Sequence, residues 1–249
     1  MKRYLVLGIL LLFPLSLLAA NVSTWNGVAD STISTLNGVA SASIGTLNGA
    51  TWNDGDGGGP PAYVGGNKNT GATPVVVTYS STSGNLLVAG CESFSTTATF
   101  AISDNQSQSW TAETRLVGTS HATQMFYMQN SVAITSVTCT VTNPGGTNRA
   151  VVAEFSGIAT SNPKRQGAQA TGTSNAPASG NFTVTDGDLI IGYAFANTLV
   201  VGSGFTMPAE LTDGWEGMEY KINSGTTANA TYTSAWNEWS VTGIAFIPQ

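Results

Sequence analysis

From residue 62 to the C-terminus the chain is a succession of short segments in which apolar and polar positions alternate, each closed by Gly, Asn, Asp, Ser or Pro. A period of two places alternate side chains on opposite faces, so one face of each segment can be buried while the other meets water. The pattern predicts strands at 75–79, 86–92, 97–102, 112–117, 123–128, 136–142, 150–155, 182–185, 189–195, 217–222, 230–234 and 241–247. No stretch carries a sustained helical period. Many short strands at close, turn-punctuated spacing predict an all-β fold, an antiparallel β-sandwich of jelly-roll or Greek-key type. Segments 86–92 and 189–191 break the alternation because they are apolar on both faces, which marks them as parts of central strands needing cover on either side.

The same pattern occurs twice. Gly84-Asn85-Leu86-Leu87-Val88 is matched by Gly187-Asp188-Leu189-Ile190-Ile191, and Met125-Phe126-Tyr127-Met128-Gln129-Asn130-Ser131 by Met218-Glu219-Tyr220-Lys221-Ile222-Asn223-Ser224. Each copy ends in an apolar strand closed by Phe155 or Phe246. Glycine to methionine spans 41 residues in the first copy and 31 in the second, whereas methionine to phenylalanine spans 30 and 28. Length therefore varies where loops are expected and holds where strands are expected, as for one scaffold used twice. Pseudo-repeats at about 73–157 and 180–248 are expected within one domain spanning 62–249, with the polar connection 159–180 as a long crossover; a linker between two small sandwiches is the alternative.

Three further pieces precede that domain. Residues 1–20 carry Lys2 and Arg3, an apolar run and a closing Ala19-Ala20, which reads as a signal peptide too short for a membrane span. Residues 21–53 hold an eleven-residue repeat, Thr24-Trp25-Asn26-Gly27, Thr35-Leu36-Asn37-Gly38 and Thr46-Leu47-Asn48-Gly49, in which Asn-Gly is a strong hairpin signal. This segment is expected to be a stalk or spacer with partial β structure, open to self-association with other copies. Residues 54–61, Gly-rich and ending in Pro60-Pro61, are a linker.

Composition fits this plan. Charged residues make up only 9% of the chain, and removal of Lys2 and Arg3 from the eight basic residues leaves six against fourteen acidic ones, a formal charge of −8. A surface of that sign excludes nucleic acid as a partner, and no stable membrane insertion is expected after signal cleavage. The setting is a secreted or cell-surface one. Cys91 and Cys139 are the only cysteines, and an even number in an oxidising compartment points to one disulfide; two buried free thiols are the alternative.

Candidate chemistry is sparse. His121 is the sole histidine, which excludes a site of several imidazoles and confines any Ser-His-acid triad to that residue, expected as an exposed loop histidine. Glu216 and Glu219 are an odd number of positions apart and should face opposite sides of a strand, the wrong geometry for a paired acid and nucleophile. Aromatic residues offer the better lead. Trp215 and Trp236 fall in loop-like positions beside Glu216 and Glu238, the combination of stacking face and hydroxyl-binding carboxylate that a glycan platform uses. Trp239 is expected in the core. No catalytic residues, cofactor or metal are expected.

The order Gly-Asn-Leu-Leu-Val, Ser-Asp-Asn-Gln-Ser-Gln-Ser-Trp, Met-Phe-Tyr, Val-Thr-Cys-Thr-Val, Glu-Phe-Ser-Gly, Gly-Asp-Leu-Ile-Ile and Gly-Ile-Ala-Phe, across roughly 73–248, resembles secreted bacterial β-sandwich modules of jelly-roll, lectin-like type. The Asn-Gly repeats are similar to segments of surface and phage-fibre-like proteins. These resemblances imply an adhesion or binding role at a cell surface, with an extracellular glycan or cell-surface ligand as partner. The alternatives are a structural subunit of an extracellular filament or virion fibre, and a carbohydrate-active hydrolase.

Overall fold

The computed structural model describes residues 59–249, apart from 236 and 237, together with six two-residue strands between 24 and 51. The expected signal peptide at 1–20, linker residues 54–58 and Trp236 lie outside the described residues. The six short strands form three antiparallel pairs, Thr24–Trp25 with Val28–Ala29, Thr35–Leu36 with Val39–Ala40, and Thr46–Leu47 with Ala50–Thr51. Each pair brackets one Asn-Gly, so every eleven-residue unit contains one hairpin. The chain divides after Gly58 into two compact units, and the second is described by itself.

Among the described residues of 59–249 there are fifteen strands. In the first half they are β1 (Ala62–Gly71), β2 (Val75–Thr78), β3 (Leu86–Ser93), β4 (Thr99–Asp104), β5 (Thr111–Ala112), β6 (Leu116–Val117), β7 (Ala122–Met128), β8 (Ser136–Thr142) and β9 (Asn148–Ser156). In the second they are β10 (Lys164–Gly172), β11 (Phe182–Thr183), β12 (Leu189–Phe195), β13 (Glu216–Ile222), β14 (Thr227–Ala228) and β15 (Trp239–Phe246). The first half has an inner sheet ordered β5-β7-β3-β9-β1, with β6 also on β7, and an outer sheet β4-β8-β2. The second has an inner sheet β13-β12-β15-β10 and a small outer sheet β11-β14. In both, the first strand pairs with the last, the last with the central apolar strand, and that strand with the Met-x-Tyr strand, all antiparallel. This is jelly-roll order, present once in each half.

The two inner sheets lie face to face, giving four layers and three cores. β6 meets β10, β7 meets β15 and β9 meets β13 across the joint. Alternation along β3 sorts its side chains: Leu87, Ala89 and Cys91 pack with Val75, Val77, Val137 and Cys139 in the first half's own core, while Leu86 and Val88 enter the joint. Along β12, Leu189, Ile191 and Tyr193 enter the joint and Ile190 and Ala194 pack against Phe182, Ala230 and Tyr232. Hence the two strands that read apolar on both faces are buried along their whole length. Cys91 and Cys139 form a disulfide that ties β3 to β8, joining the inner and outer sheets of the first half. Such a bond belongs to oxidising surroundings. No helix among the described residues is long and apolar enough to cross a membrane.

Two sequence expectations change. The pseudo-repeats begin at β1 and β10, earlier than 73 and 180, and the expected crossover 159–180 contains the nine-residue strand β10. Both missed strands lie at sheet edges, half-buried to exposed, with few apolar side chains, so period-two hydrophobicity is absent. β1 also covers the open edge of β2: Asn67 and Asn69, on one side of the strand, donate from Nδ2 to the carbonyls of Thr78 and Val76 at 2.8 and 2.7 Å. The repeated Gly-polar-Leu motif is a turn. Gly84 and Gly187 have φ of 91° and 88°, which favour glycine, and their N–H groups donate to Ser131 and Asn223 at the ends of the Met-x-Tyr strands. The shared motifs are therefore scaffold.

Close approach of the inner sheets depends on Gly90 in β3, where any side chain would collide with the ring of Tyr193 from β12. Replacing Gly90 by Ala should destabilise the fold by about 1–3 kcal/mol, as overpacked cores do. Denaturant unfolding checks this, and an unchanged midpoint would show that the joint is looser than this contact requires.

Candidate functional site

Trp215, Glu216 and Glu238 all come to one end of the joint, where they join a polar network that crosses between the halves. Its first part surrounds Arg149 on β9. The guanidinium donates from Nη1 to Glu92 at 2.9 Å and from Nε to Asp213 at 2.7 Å, and lies over the rings of Phe94 and Trp215. Asp213 also shapes the turn into β13, because its Oδ1 accepts from the backbone N–H groups of Trp215 and Glu216, each at 2.9 Å. Glu216 accepts from the Tyr193 hydroxyl at 2.9 Å. Glu92, Tyr193 and Glu216 are buried.

The second part is built on His121. Its Nδ1 lies 3.0 Å from Glu238 Oε1 and its Nε2 3.1 Å from Ser240 Oγ, which in turn is 2.9 Å from Thr123 Oγ1. Glu238 also accepts from the Ser120 backbone N–H at 2.6 Å and the Ser120 hydroxyl at 2.7 Å. Phe195 connects the two parts, with its ring 4.3 Å from the imidazole and 6.1 Å from Trp215 between centroids. His121 and Thr123 come from the first half, Glu238 and Ser240 from the second. The relay therefore bridges the joint.

These positions correct several expectations. His121 is completely buried, not an exposed loop residue, because the loop before β7 is covered by the Glu238 segment. Glu216 is likewise enclosed, which removes it as a direct ligand contact, and Trp215 is half-buried against Phe94, Phe195 and Arg149, with part of its ring committed to packing. Glu238 is already engaged by Ser120 and His121. Trp239 is in the core at 8% exposure, as expected. Glu216 and Glu219 do face opposite sides, toward Tyr193 in the joint and toward the Gly202 N–H beside the outer core. Periodicity and motifs in the sequence do not single out Glu92, Arg149, Asp213 or Ser240. The one available signal was a charge at the end of an apolar strand, in Glu92 and Arg149.

Glu238, His121 and Ser240 have the order of a hydrolytic triad. Ser240 is only 1% exposed, however, and a nucleophile that substrate cannot reach performs no covalent step. Beside the relay the surface opens into a cleft of about 180 Å³, lined by Val117, Gly118 and Thr119 of the first half and Thr171, Gly172 and Thr173 of the second. Gly118 lies directly against His121 and Glu238, and Gly172 against the Trp239 indole, so glycine at both places lets the walls close on the network. Among the described residues, no group of three or more His, Cys, Asp or Glu side chains is arranged to hold a metal ion.

Electrostatics agree with a structural relay. Burial lowers the His121 pKa below its ordinary value, against the upward pull of Glu238, so the imidazole is neutral in the fold near pH 7. Burial pushes Glu238 up, but the Ser120 and Thr119 donors and His121 outweigh it and bring the carboxyl down to about 2. A depressed carboxyl contributes stability that is present above its unfolded value of 4.5 and lost as pH falls through about 2. A depressed imidazole contributes stability that fades as pH falls below 6.5. The relay's own contribution to stability should therefore weaken from about pH 6.5 downward, read as the difference between the wild type and a relay variant. Glu238→Gln should cost about 1–3 kcal/mol at pH 7 and flatten the profile below pH 4.5. Thermal melts across that range check the expectation, and a variant profile parallel to the wild type would refute the assignment.

Comparison with protein-family models, with curated proteins and with solved structures finds no match to this chain.

Proposed function

We propose that this is an exported, non-catalytic binding module of the adhesion type, displayed at a cell surface or in the extracellular space behind its Asn-Gly hairpins, with an extracellular glycan as ligand. The observation that carries the reading is the cleft at the joint. Its Thr119, Thr171 and Thr173 hydroxyls and its glycine backbones can bond sugar hydroxyls, and its volume of about 180 Å³ suits one terminal sugar rather than a long chain. Glu238 stands beside it, and Trp236, two positions earlier in sequence, adds an aromatic residue to the same segment. The apolar run after Lys2 and Arg3, the buried disulfide and the sparsely charged, acidic composition support export. Enclosure of Ser240, His121 and Glu216 favours binding over hydrolysis.

A second reading, a structural subunit of an extracellular filament or virion fibre, is favoured by the three hairpins recurring every eleven residues, since one such unit is too small to bury its own apolar face and gains by stacking.

Glycan-array binding by the mature protein, compared with Thr171→Val/Thr173→Val and with Trp236→Ala, tests the first reading. Two lost hydroxyls at about 1 kcal/mol each should weaken binding roughly thirty-fold, and the tryptophan change should weaken it by a similar amount. Absence of glycan binding, or binding indifferent to all three substitutions, would eliminate the cleft. Concentration-dependent polymerisation that is lost on deleting residues 21–53 would favour the structural reading instead.

A further inference from the structure

The joint holds three carboxylates for one guanidinium. Glu92 and Arg149 come from the first half, Asp213 and Glu216 from the second, and no other cation joins them among the described residues. Arg149 is engaged by Glu92 and Asp213, which leaves Glu216 with no cationic partner of its own. The groups facing Glu216 are Tyr193 on β12, Asp213 in the preceding turn, Glu92 on β3 and Arg149 on β9. Two oxygens in this space, Glu92 Oε1 and Glu216 Oε1, are buried without a hydrogen-bond partner. An orphan oxygen of a charged carboxylate is expensive in such a place, and two facing carboxylates make it more so. The excess negative charge must be neutralised by a bound cation or by a proton. Among the described residues no three such side chains converge as a metal site would, which favours the proton.

We propose that the face-to-face joint between the two jelly rolls is a proton-held latch, in which Glu216 stays a neutral carboxylic acid in the folded protein and its ionisation lets the halves part. As a neutral acid Glu216 can accept the Tyr193 hydroxyl on one oxygen without adding a full charge to the enclosed cluster of Glu92, Arg149 and Asp213. Loss of the proton would set Glu216 and Glu92 against each other across the boundary between halves, where separation relieves them. Burial raises both groups, Glu216 well above its ordinary value and Glu92 to about 8 despite the lowering pull of Arg149. For groups raised in this way, the stability they contribute is complete below their unfolded value of 4.5 and is lost as pH rises through the folded value. Alkaline pH is therefore the opening signal, opposite in sign to the His121–Glu238 relay.

Hydrogen exchange of the mature protein between pH 5 and pH 9.5 tests the latch. After correction for intrinsic exchange, amides of β3, β9, β12 and β13 should open roughly tenfold more per pH unit for each proton released. Glu216→Gln, neutral at every pH, should lower that logarithmic slope by one, whereas Glu219→Gln, on the opposite face of β13, should leave joint opening with the wild-type slope. Should Glu216→Gln fail to fold, the infrared carbonyl band of a neutral buried carboxylic acid that persists at pH 7 in a Glu92→Gln/Glu219→Gln double variant decides the matter. Its absence, exchange at the joint that does not change with pH, or a wild-type slope in Glu216→Gln would overturn the proposal. So would opening governed at fixed pH by added sodium, potassium or calcium.

Discussion

Everything in the described domain depends on one constraint, that two strands carry apolar side chains on both faces. A single two-layer sandwich exposes the outer face of each sheet to water, and β3 or β12 in such a setting would leave half its apolar surface wet. Each half meets part of the demand with its own outer sheet. The remainder is met by placing the inner sheets against each other, so that Leu86, Val88, Leu189 and Ile191 share one core. The four-layer arrangement follows from that shared burial. Gly90 and Tyr193 set how closely the layers approach.

Apolar faces attract without specifying orientation, and the joint supplies orientation through polar contacts. Arg149 to Asp213, His121 to Glu238 and Ser240, and Lys164 to Glu113 all run between halves. A slip of the two sheets would leave several of these groups buried without partners, at a cost that apolar packing cannot offset. The same network explains why a set of residues with catalytic order is not accessible for catalysis. It also divides the pH response, since the relay loses stability on acidification while Glu92 and Glu216 lose it on the alkaline side.

Much of the architecture was legible in the sequence. Period-two alternation marks the core strands, and the repeated Gly-polar-Leu and Met-x-Tyr motifs mark the turns and partners that recur in both halves. β1 and β10 were not legible, because an edge strand needs backbone pairing but little apolar surface, and Asn67 and Asn69 act through side-chain amides that carry no periodic signal. Trp215, Glu216 and Glu238 were legible as unusual residues in a region where the copies differ. Their surroundings were not, because Arg149, Glu92 and His121 reach them from parts of the chain far away in sequence.

The sequence by itself determined the all-β class and the duplicated strand pattern, since each follows from local periodicity and turn chemistry, whereas the bond between its two cysteines was decided by the fold. Only the tertiary structure decided that the halves stack inner sheet to inner sheet, that His121 and Glu216 are buried, and that threonines from both halves share a cleft. Burial and charge balance depend on which strands meet across the joint, and that meeting is a long-range outcome of where two doubly apolar strands can find cover.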